Sequence, residues 1–222
     1  MTAMNRGRIR IKVCGLTRLE DALCAASAGV DALGFIFYQK SPRYIPPEEA
    51  RQIIERLPPF IDTVGVFVDQ KREEVEEVIH YCHLGYAQLH GQESPKYCER
   101  LLRSASPCEV IKAFRVGPHT TAEEFEPYVP FVKAFLLDTY DKEMAGGTGR
   151  SFDWSLIDLL RLARPYILAG GLDATNIGTA LKAVNARGVD VNSGVEVSPG
   201  IKDHRLVRDF VAIVRQKEEL GC

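Results

Sequence analysis

What most constrains the fold of this chain is a repeated alternation. Eight short apolar or β-branched runs are each followed by a charge-rich stretch with helical periodicity. The expected strands are Ile9–Cys14, Ala32–Phe37, Thr63–Val68, Tyr86–His90, Glu109–Phe114, Ala134–Asp138, Tyr166–Ala169 and Gly188–Asn192. The expected helices are Arg18–Ala28, Pro47–Leu57, Arg72–Cys82, Pro95–Ser104, Ala122–Val129, Asp153–Ala163, Ala174–Asn185 and His204–Lys217. Strands separated by helices of about 10–15 residues form βαβ crossovers and hence a parallel sheet. Eight such units within 222 residues suit a closed (β/α)8 TIM barrel, with residues 1–222 as a single domain. An open doubly wound sheet usually has fewer strands and a glycine fingerprint after the first. The first turn here is Cys14-Gly15-Leu16-Thr17, with no G-x-G-x-x-G.

Composition narrows the ligand class. The formal net charge is −2 at pH 7, so no global field attracts nucleic acid or a membrane surface. Any acidic ligand has to be held by local positive groups. No apolar run reaches the roughly 20 residues needed to span a bilayer. The basic start, Met1 to Arg10, is not followed by an apolar signal core. A cytoplasmic address is therefore expected. The cysteines are Cys14, Cys24, Cys82, Cys98, Cys108 and Cys222, and none falls in a C-x-x-C pair. In a reducing compartment most are expected to be free thiols filling the core, with no metal site among them.

In a barrel of this type the strand C-terminal ends and the loops after them build the site. Two of those loops have the composition of a phosphate cradle: Gly170-Gly171 after the seventh strand and Ser193-Gly194 after the eighth. Glycines let backbone N–H groups approach phosphate oxygens, though they also serve simple turns. Cys14 ends the first strand in phase with Lys12, so an inward-facing Lys12 would lie one layer below the thiol and favour thiolate. A small buried residue beside a turn is the alternative. Asp138 closes the apolar run Ala134-Phe135-Leu136-Leu137, an expensive place for a carboxylate without partners. It reads either as a general acid or as a loop and cap residue. Arg43, in a proline-stiffened loop after the second strand, could grip a carboxylate with its planar fork or simply lie solvated near Glu48 and Glu49. His90 reads as a ligand contact or a packed imidazole. The glycine-rich segment Tyr140–Ser151 has the composition of a lid over Asp138.

Taken in order, these segments resemble the signatures of the phosphoribosylanthranilate isomerase family. They are Val13-Cys14-Gly15-Leu16-Thr17, Gly34-Phe35-Ile36-Phe37, Ser41-Pro42-Arg43-Tyr44, Val64-Gly65-Val66-Phe67-Val68 and Gln88-Leu89-His90-Gly91. Leu136-Leu137-Asp138-Thr139, Gly146-Gly147-Thr148-Gly149, Phe152-Asp153-Trp154, Ala169-Gly170-Gly171-Leu172 and Ser193-Gly194-Val195-Glu196 continue the series, so it covers nearly the whole chain. The resemblance implies a (β/α)8 barrel that performs an Amadori rearrangement in tryptophan biosynthesis, without metal or organic cofactor. It implies Cys14 as general base, Asp138 as general acid and Arg43 on the anthranilate carboxylate. His90, Gly170, Gly171, Ser193 and Gly194 are the remaining candidate substrate contacts. Ala169 stands where serine is also seen, which puts a side-chain phosphate contact there in doubt. The implied partner is a small phosphorylated anthranilate derivative, and the implied assembly a monomer or homodimer.

Two other readings compete. Indoleglycerol-phosphate synthase binds a related sugar phosphate, but it is expected to carry a catalytic lysine and a longer N-terminal extension. A non-catalytic metabolite-binding barrel would not need Cys14, Asp138 and Arg43 together.

Overall fold

The computed structural model describes residues 8–139 and 154–219. The segment expected to form a lid, Tyr140–Ser151, lies outside the described residues, as do Phe152 and Asp153. Eight parallel strands close in sequence order: β1 Arg10–Val13, β2 Ala32–Ile36, β3 Asp62–Phe67, β4 Tyr86–Leu89, β5 Glu109–Arg115, β6 Ala134–Asp138, β7 Tyr166–Ala169 and β8 Gly188–Val191. The helices are α1 Leu19–Ala28, α2 Pro47–Ile54, α3 Arg72–Cys82, α4 Pro95–Ser104, α5 Ser155–Leu159, α6 Ile177–Ala183 and α7 His204–Glu219. Each expected strand is present to within a residue or two at its ends. An antiparallel ribbon, β9 Glu196–Ser198 and β10 Ile201–Lys202, is added between β8 and α7. No described helix is long and apolar enough to cross a membrane.

The helix expected over Ala122–Val129 is a correction. Two 3-10 segments, Ala122–Glu124 and Glu126–Phe131, cross from β5 to β6 instead. Pro127 and Pro130 remove backbone donors that an α-helix would require, and short 3-10 turns tolerate their loss. Sequence periodicity also overestimated the length of α5 and α6, which run for five and seven residues; α6 ends where Val184 turns to an extended conformation.

Alternation along each strand divides the core in two. Ile11, Val13, Leu33, Phe35, Leu137, Leu168 and Val189 face outward and pack, fully buried, against helix residues such as Ala22, Ala25, Ile177 and Phe210. The other parity points into the barrel. Ile111, Ala113, Leu136 and Ala169 form one interior cluster, and Cys14, Ile36 and Val66 form another. Lys12 and Asp190 share the remaining arc: they are register partners across the β1–β8 ladder.

A charge cluster fastens α7 to the start of the barrel. Asp31, 6% exposed, accepts hydrogen bonds from Ile11 N, Arg10 Nη1 and Arg215 Nη2 at 2.8–2.9 Å. Arg215 also donates to the carbonyls of Ile9 and Gly29. Burial pushes the Asp31 carboxyl up, but these donors outweigh it and hold the group below the usual carboxylate range. A carboxyl depressed on folding contributes stability above its unfolded value of about 3.9, and that contribution disappears as pH falls through the lower folded value. Asp31→Asn is therefore expected to cost about 2–3 kcal/mol at pH 7, in line with charge-assisted hydrogen bonds. Urea titrations should show the penalty shrinking below about pH 4. An equal penalty at pH 7 and pH 3 would show that the charge is not what matters.

Candidate active site

The strand C-termini open into a cleft of about 480 Å³. Into it project Cys14 from β1, Arg43 from the loop after β2, His90 from the loop after β4 and Asp138, the last residue of β6. Gly170, Gly171 and Ser193 line the side formed by loops seven and eight. The fold thus brings seven of the eight candidate residues to one cavity. Gly194 is not among the lining residues. A Cβ there would run into the carbonyl oxygen of Leu172, so this glycine lets loop eight pack directly on the backbone of loop seven. Its expected role as a direct substrate contact gives way to a packing one, and a side chain there would open the seam between the two loops. Gly170 and Gly171 adopt φ values of 95° and 61°, where a glycine is required for an unstrained turn.

The floor of the cleft is charged. Lys12 Nζ lies 2.9 Å from Asp190 Oδ2, and the two residues are only 4% and 8% exposed. Lys12 runs beside Cys14: a Cβ built on Gly34 of β2 would approach Cys14 Sγ at 2.8 Å and Lys12 Cε at 3.0 Å, so only glycine fits there. Burial would push the Lys12 ammonium down, but Asp190 and Cys14 more than compensate and hold it above the ordinary lysine value. The expectation that Lys12 favours Cys14 thiolate is overturned in its net effect. Burial pushes the thiol up, Lys12 pulls it down, and Asp190 adds to the upward push, leaving Cys14 above the ordinary thiol value. Lys12 is interior as expected, but its charge is already answered by a carboxylate that sequence reading did not identify. The only signal was a charged residue amid the valines of Gly188-Val189-Asp190-Val191, in phase with Asn192.

His90 is oriented from two sides. Gln88 Nε2 lies 3.1 Å from His90 Nδ1, and His90 Nε2 lies 3.5 Å from Asp138 Oδ2. With the amide as donor, Nδ1 is the acceptor nitrogen and Nε2–H is directed at Asp138. The backbone carrying His90 is pinned by a buried pair, Lys112 and Glu93. Lys112 Nζ donates to Glu93 Oε2 and to the carbonyls of Leu89, Gly91 and Ala113, while Glu93 accepts from Asp69 N and Gly91 N.

Arg43 does not pair with Glu48 or Glu49. Its Nε and Nη2 bind both oxygens of Glu196 at 2.7–3.0 Å. Lys202 Nζ, wholly buried, bonds Glu196 Oε1 at 2.8 Å and Asn192 Oδ1 at 3.0 Å. Burial raises the Glu196 carboxyl, but Arg43 and Lys202 outweigh it and the group sits below its usual range. Burial likewise pushes the Lys202 ammonium down, against the pull of Glu196. Sequence reading singled out neither role. The described cysteines are all unpaired, and no group of three or more His, Cys, Asp or Glu among the described residues is placed to hold a metal ion.

The thiol environment makes a measurable statement. Alkylation of Cys14 by iodoacetamide, followed on its own peptide by mass spectrometry, should rise with pH to a midpoint above about 8.5, the ordinary thiol value. Lys12→Met removes the downward influence and should move that midpoint higher. A wild-type midpoint below neutrality would contradict this reading.

Comparison with known proteins agrees over nearly the whole chain. The family model described as N-(5'phosphoribosyl)anthranilate (PRA) isomerase matches residues 11–213. An N-(5'-phosphoribosyl)anthranilate isomerase from Geobacter metallireducens is 47% identical over 203 residues, covering 91% of this chain and 97% of its own. The crystal structure of phosphoribosyl anthranilate isomerase from Thermotoga maritima superposes with a TM-score of 0.82 at 42% identity, covering 94% of this chain and 99% of its own. A phosphoribosyl anthranilate isomerase in complex with reduced 1-(o-carboxyphenylamino)-1-deoxyribulose 5-phosphate superposes at 0.80 with 39% identity, over 94% and 99% of the two chains. A closed eight-stranded barrel, a thiol and a carboxyl at the ends of β1 and β6, and this agreement together assign the fold and its kin: the chain belongs to the N-(5'-phosphoribosyl)anthranilate isomerase family.

Proposed function

We infer that this chain converts N-(5′-phosphoribosyl)anthranilate to 1-(2-carboxyphenylamino)-1-deoxyribulose 5-phosphate. The observation that carries the reading is the convergence of Cys14 and Asp138 on one cleft whose other walls are Arg43 and the glycine turns of loops seven and eight. The substrate has three features to match: an aromatic carboxylate, a furanose and a phosphate. Arg43 supplies a cation for the first. Loops seven and eight supply backbone N–H groups for the last, at Gly170, Gly171 and Ser193, with Gly194 fixing their separation. With both ends held, the sugar spans the cleft between β1 and β6.

The proton movements follow from that placement. Asp138, as the acid, gives a proton to the furanose ring oxygen, and the ring C–O bond breaks as the nitrogen lone pair forms an iminium at the anomeric carbon. The cation acidifies the neighbouring C2′–H. Cys14 thiolate removes that proton, and the C–H electrons become the C1′–C2′ double bond while the iminium electrons return to nitrogen. The resulting enolamine tautomerises, losing the hydroxyl proton at C2′ and gaining one at C1′, to give the ketone. Nothing is oxidised by an outside reagent, and the formula is unchanged.

The proton inventory explains how a buried thiol with a raised pKa serves as a base. Thiolate plus carboxylic acid holds as many protons as thiol plus carboxylate, so surroundings rather than bulk pH set the ratio of the two forms. Lys12 and Lys202 both favour the anion at Cys14. Positioning by the two clamps supplies much of the remaining acceleration.

The test is an assay that follows loss of anthranilate-type fluorescence as phosphoribosylanthranilate is consumed. Wild type should consume it. Cys14→Ala and Asp138→Asn should each lose about 100–10,000-fold in kcat, the range for general acid–base groups. Both variants should still bind the reduced product analogue. Near-wild-type turnover by folded Cys14→Ala would sink the base assignment.

A further inference from the structure

The ribbon β9–β10 is an addition to the eight-stranded barrel, and it carries two charged side chains toward the cleft region. Glu196 opens β9 and Lys202 ends β10, and the two are paired in register. Glu196 is 4% exposed at its side chain and Lys202 0%, so neither is a solvated surface charge. The ribbon is tied down from the other side. Thr17 Oγ1 donates to Gly200 O at 2.6 Å, and Lys202 N donates to Asp21 Oδ2 at 2.9 Å. Gly200 N donates to Glu196 Oε1 at 3.2 Å. The contacts of Gly200 N and Lys202 Nζ thus converge on the Glu196 carboxylate, and those of Thr17 and Asp21 hold the ribbon backbone around it.

Opposite the carboxylate sits Arg43. Its Nε and Nη2 are taken by Glu196, whereas Nη1 makes no hydrogen bond among the described residues. Its stem is packed as well: a Cβ on Gly15 would come within 2.8 Å of Arg43 Cδ and 2.7 Å of Asn192 Oδ1. An arginine on a loop ordinarily samples many rotamers, and ordering it on binding costs affinity. Here one edge of the guanidinium plane is bound in advance, so the plane's orientation is set before ligand arrives.

We propose that Glu196, braced by Lys202, is a positioning residue for Arg43: the β9–β10 ribbon pre-orients the guanidinium so that its Nη1 edge meets the aromatic carboxylate of the substrate. The inference rests on Arg43 reading that carboxylate. Lys202 has a second task in this arrangement. Arg43, Glu196 and Lys202 together carry one net positive charge, so Glu196 orients the arginine without cancelling the attraction for an anionic group. A carboxylate left alone beside Arg43 would cancel it.

Steady-state kinetics of four proteins tests this: wild type, Arg43→Ala, Glu196→Gln and the double variant. Two substrates are used, phosphoribosylanthranilate and its counterpart built on aniline, which lacks the carboxylate. Circular dichroism checks the fold, and Glu196→Asp serves as a second probe if Glu196→Gln fails to fold. Glu196→Gln should raise KM for the anthranilate substrate about tenfold, near 1.4 kcal/mol, with a smaller change in kcat. The effect should vanish in the Arg43→Ala background and with the aniline substrate. Equal penalties on both substrates, or full additivity with Arg43→Ala, would make Glu196 merely structural and overturn the proposal. If Arg43→Ala itself leaves KM unchanged, the carboxylate reading of Arg43 fails first. If wild type consumes neither substrate, the enzymatic reading fails and takes this one with it.

Discussion

The ladder between β1 and β8 closes the barrel, and most of what is distinctive about the cleft depends on its register. Arg10, Ile11, Lys12 and Val13 pair with Gly188, Val189, Asp190 and Val191. A slip of β1 by one residue would turn Lys12 outward into the apolar layer beneath the helices and bring Ile11 inside, leaving Asp190 without its partner. With the observed register, the Lys12 ammonium and the Asp190 carboxylate meet at 2.9 Å. A buried ion pair of this kind is weak evidence for stability, because desolvation offsets most of the Coulomb attraction. Losing one partner, however, strands the other charge. The pair therefore specifies the register of closure at least as much as it strengthens it, and the same register delivers Cys14 to the top of the barrel.

Above that floor the cleft has a graded set of charges. Cys14 lies near two ammoniums, Lys12 and Lys202, each already bound to a carboxylate, Asp190 and Glu196 respectively. Burial holds the thiol above its ordinary range despite both ammoniums, and in the proposed mechanism it serves as a base once a proton has been relocated to the carboxyl across the sugar. This arrangement suits a reaction whose difficult proton is acidified by an iminium formed one step earlier. A strongly activated thiolate is unnecessary for such a step and would be exposed to oxidation and alkylation between turnovers.

Much of this was legible in the sequence. Alternating apolar runs of four to seven residues specify strands, and their number within so short a chain leaves few architectures besides the barrel. The rule that barrel sites lie at strand C-termini then brings Cys14, Arg43, His90, Asp138 and the glycine turns into view, while only the family resemblance implies their roles. What could not be read is equally specific. The helix expected before β6 dissolves into 3-10 turns because two prolines decide its hydrogen bonding, whatever the apolar pattern suggests. The electrostatics of Cys14 came out with the opposite net direction because burial raises the thiol more than Lys12 lowers it, and Asp190, remote in sequence and adjacent only through barrel closure, adds to the rise. Glu196 and Lys202 were hidden for the same reason: their roles exist only once a short ribbon folds back against α1. Local pattern identifies which groups are present at the site, whereas their charges are set by partners that only the closed fold supplies.

The central claim is geometric: one sugar phosphate spans the cleft with Cys14 on one side of its reacting carbons and Asp138 on the other. The most direct measurement is a crystal structure of this protein with the reduced product analogue, reduced 1-(o-carboxyphenylamino)-1-deoxyribulose 5-phosphate. The account predicts the phosphate against Gly170, Gly171 and Ser193, Cys14 Sγ facing C2′, Asp138 on the opposite side of the chain, and Arg43 Nη1 on the ligand carboxylate. A ligand whose C2′ faces away from Cys14, or whose phosphate lies away from loops seven and eight, would contradict it.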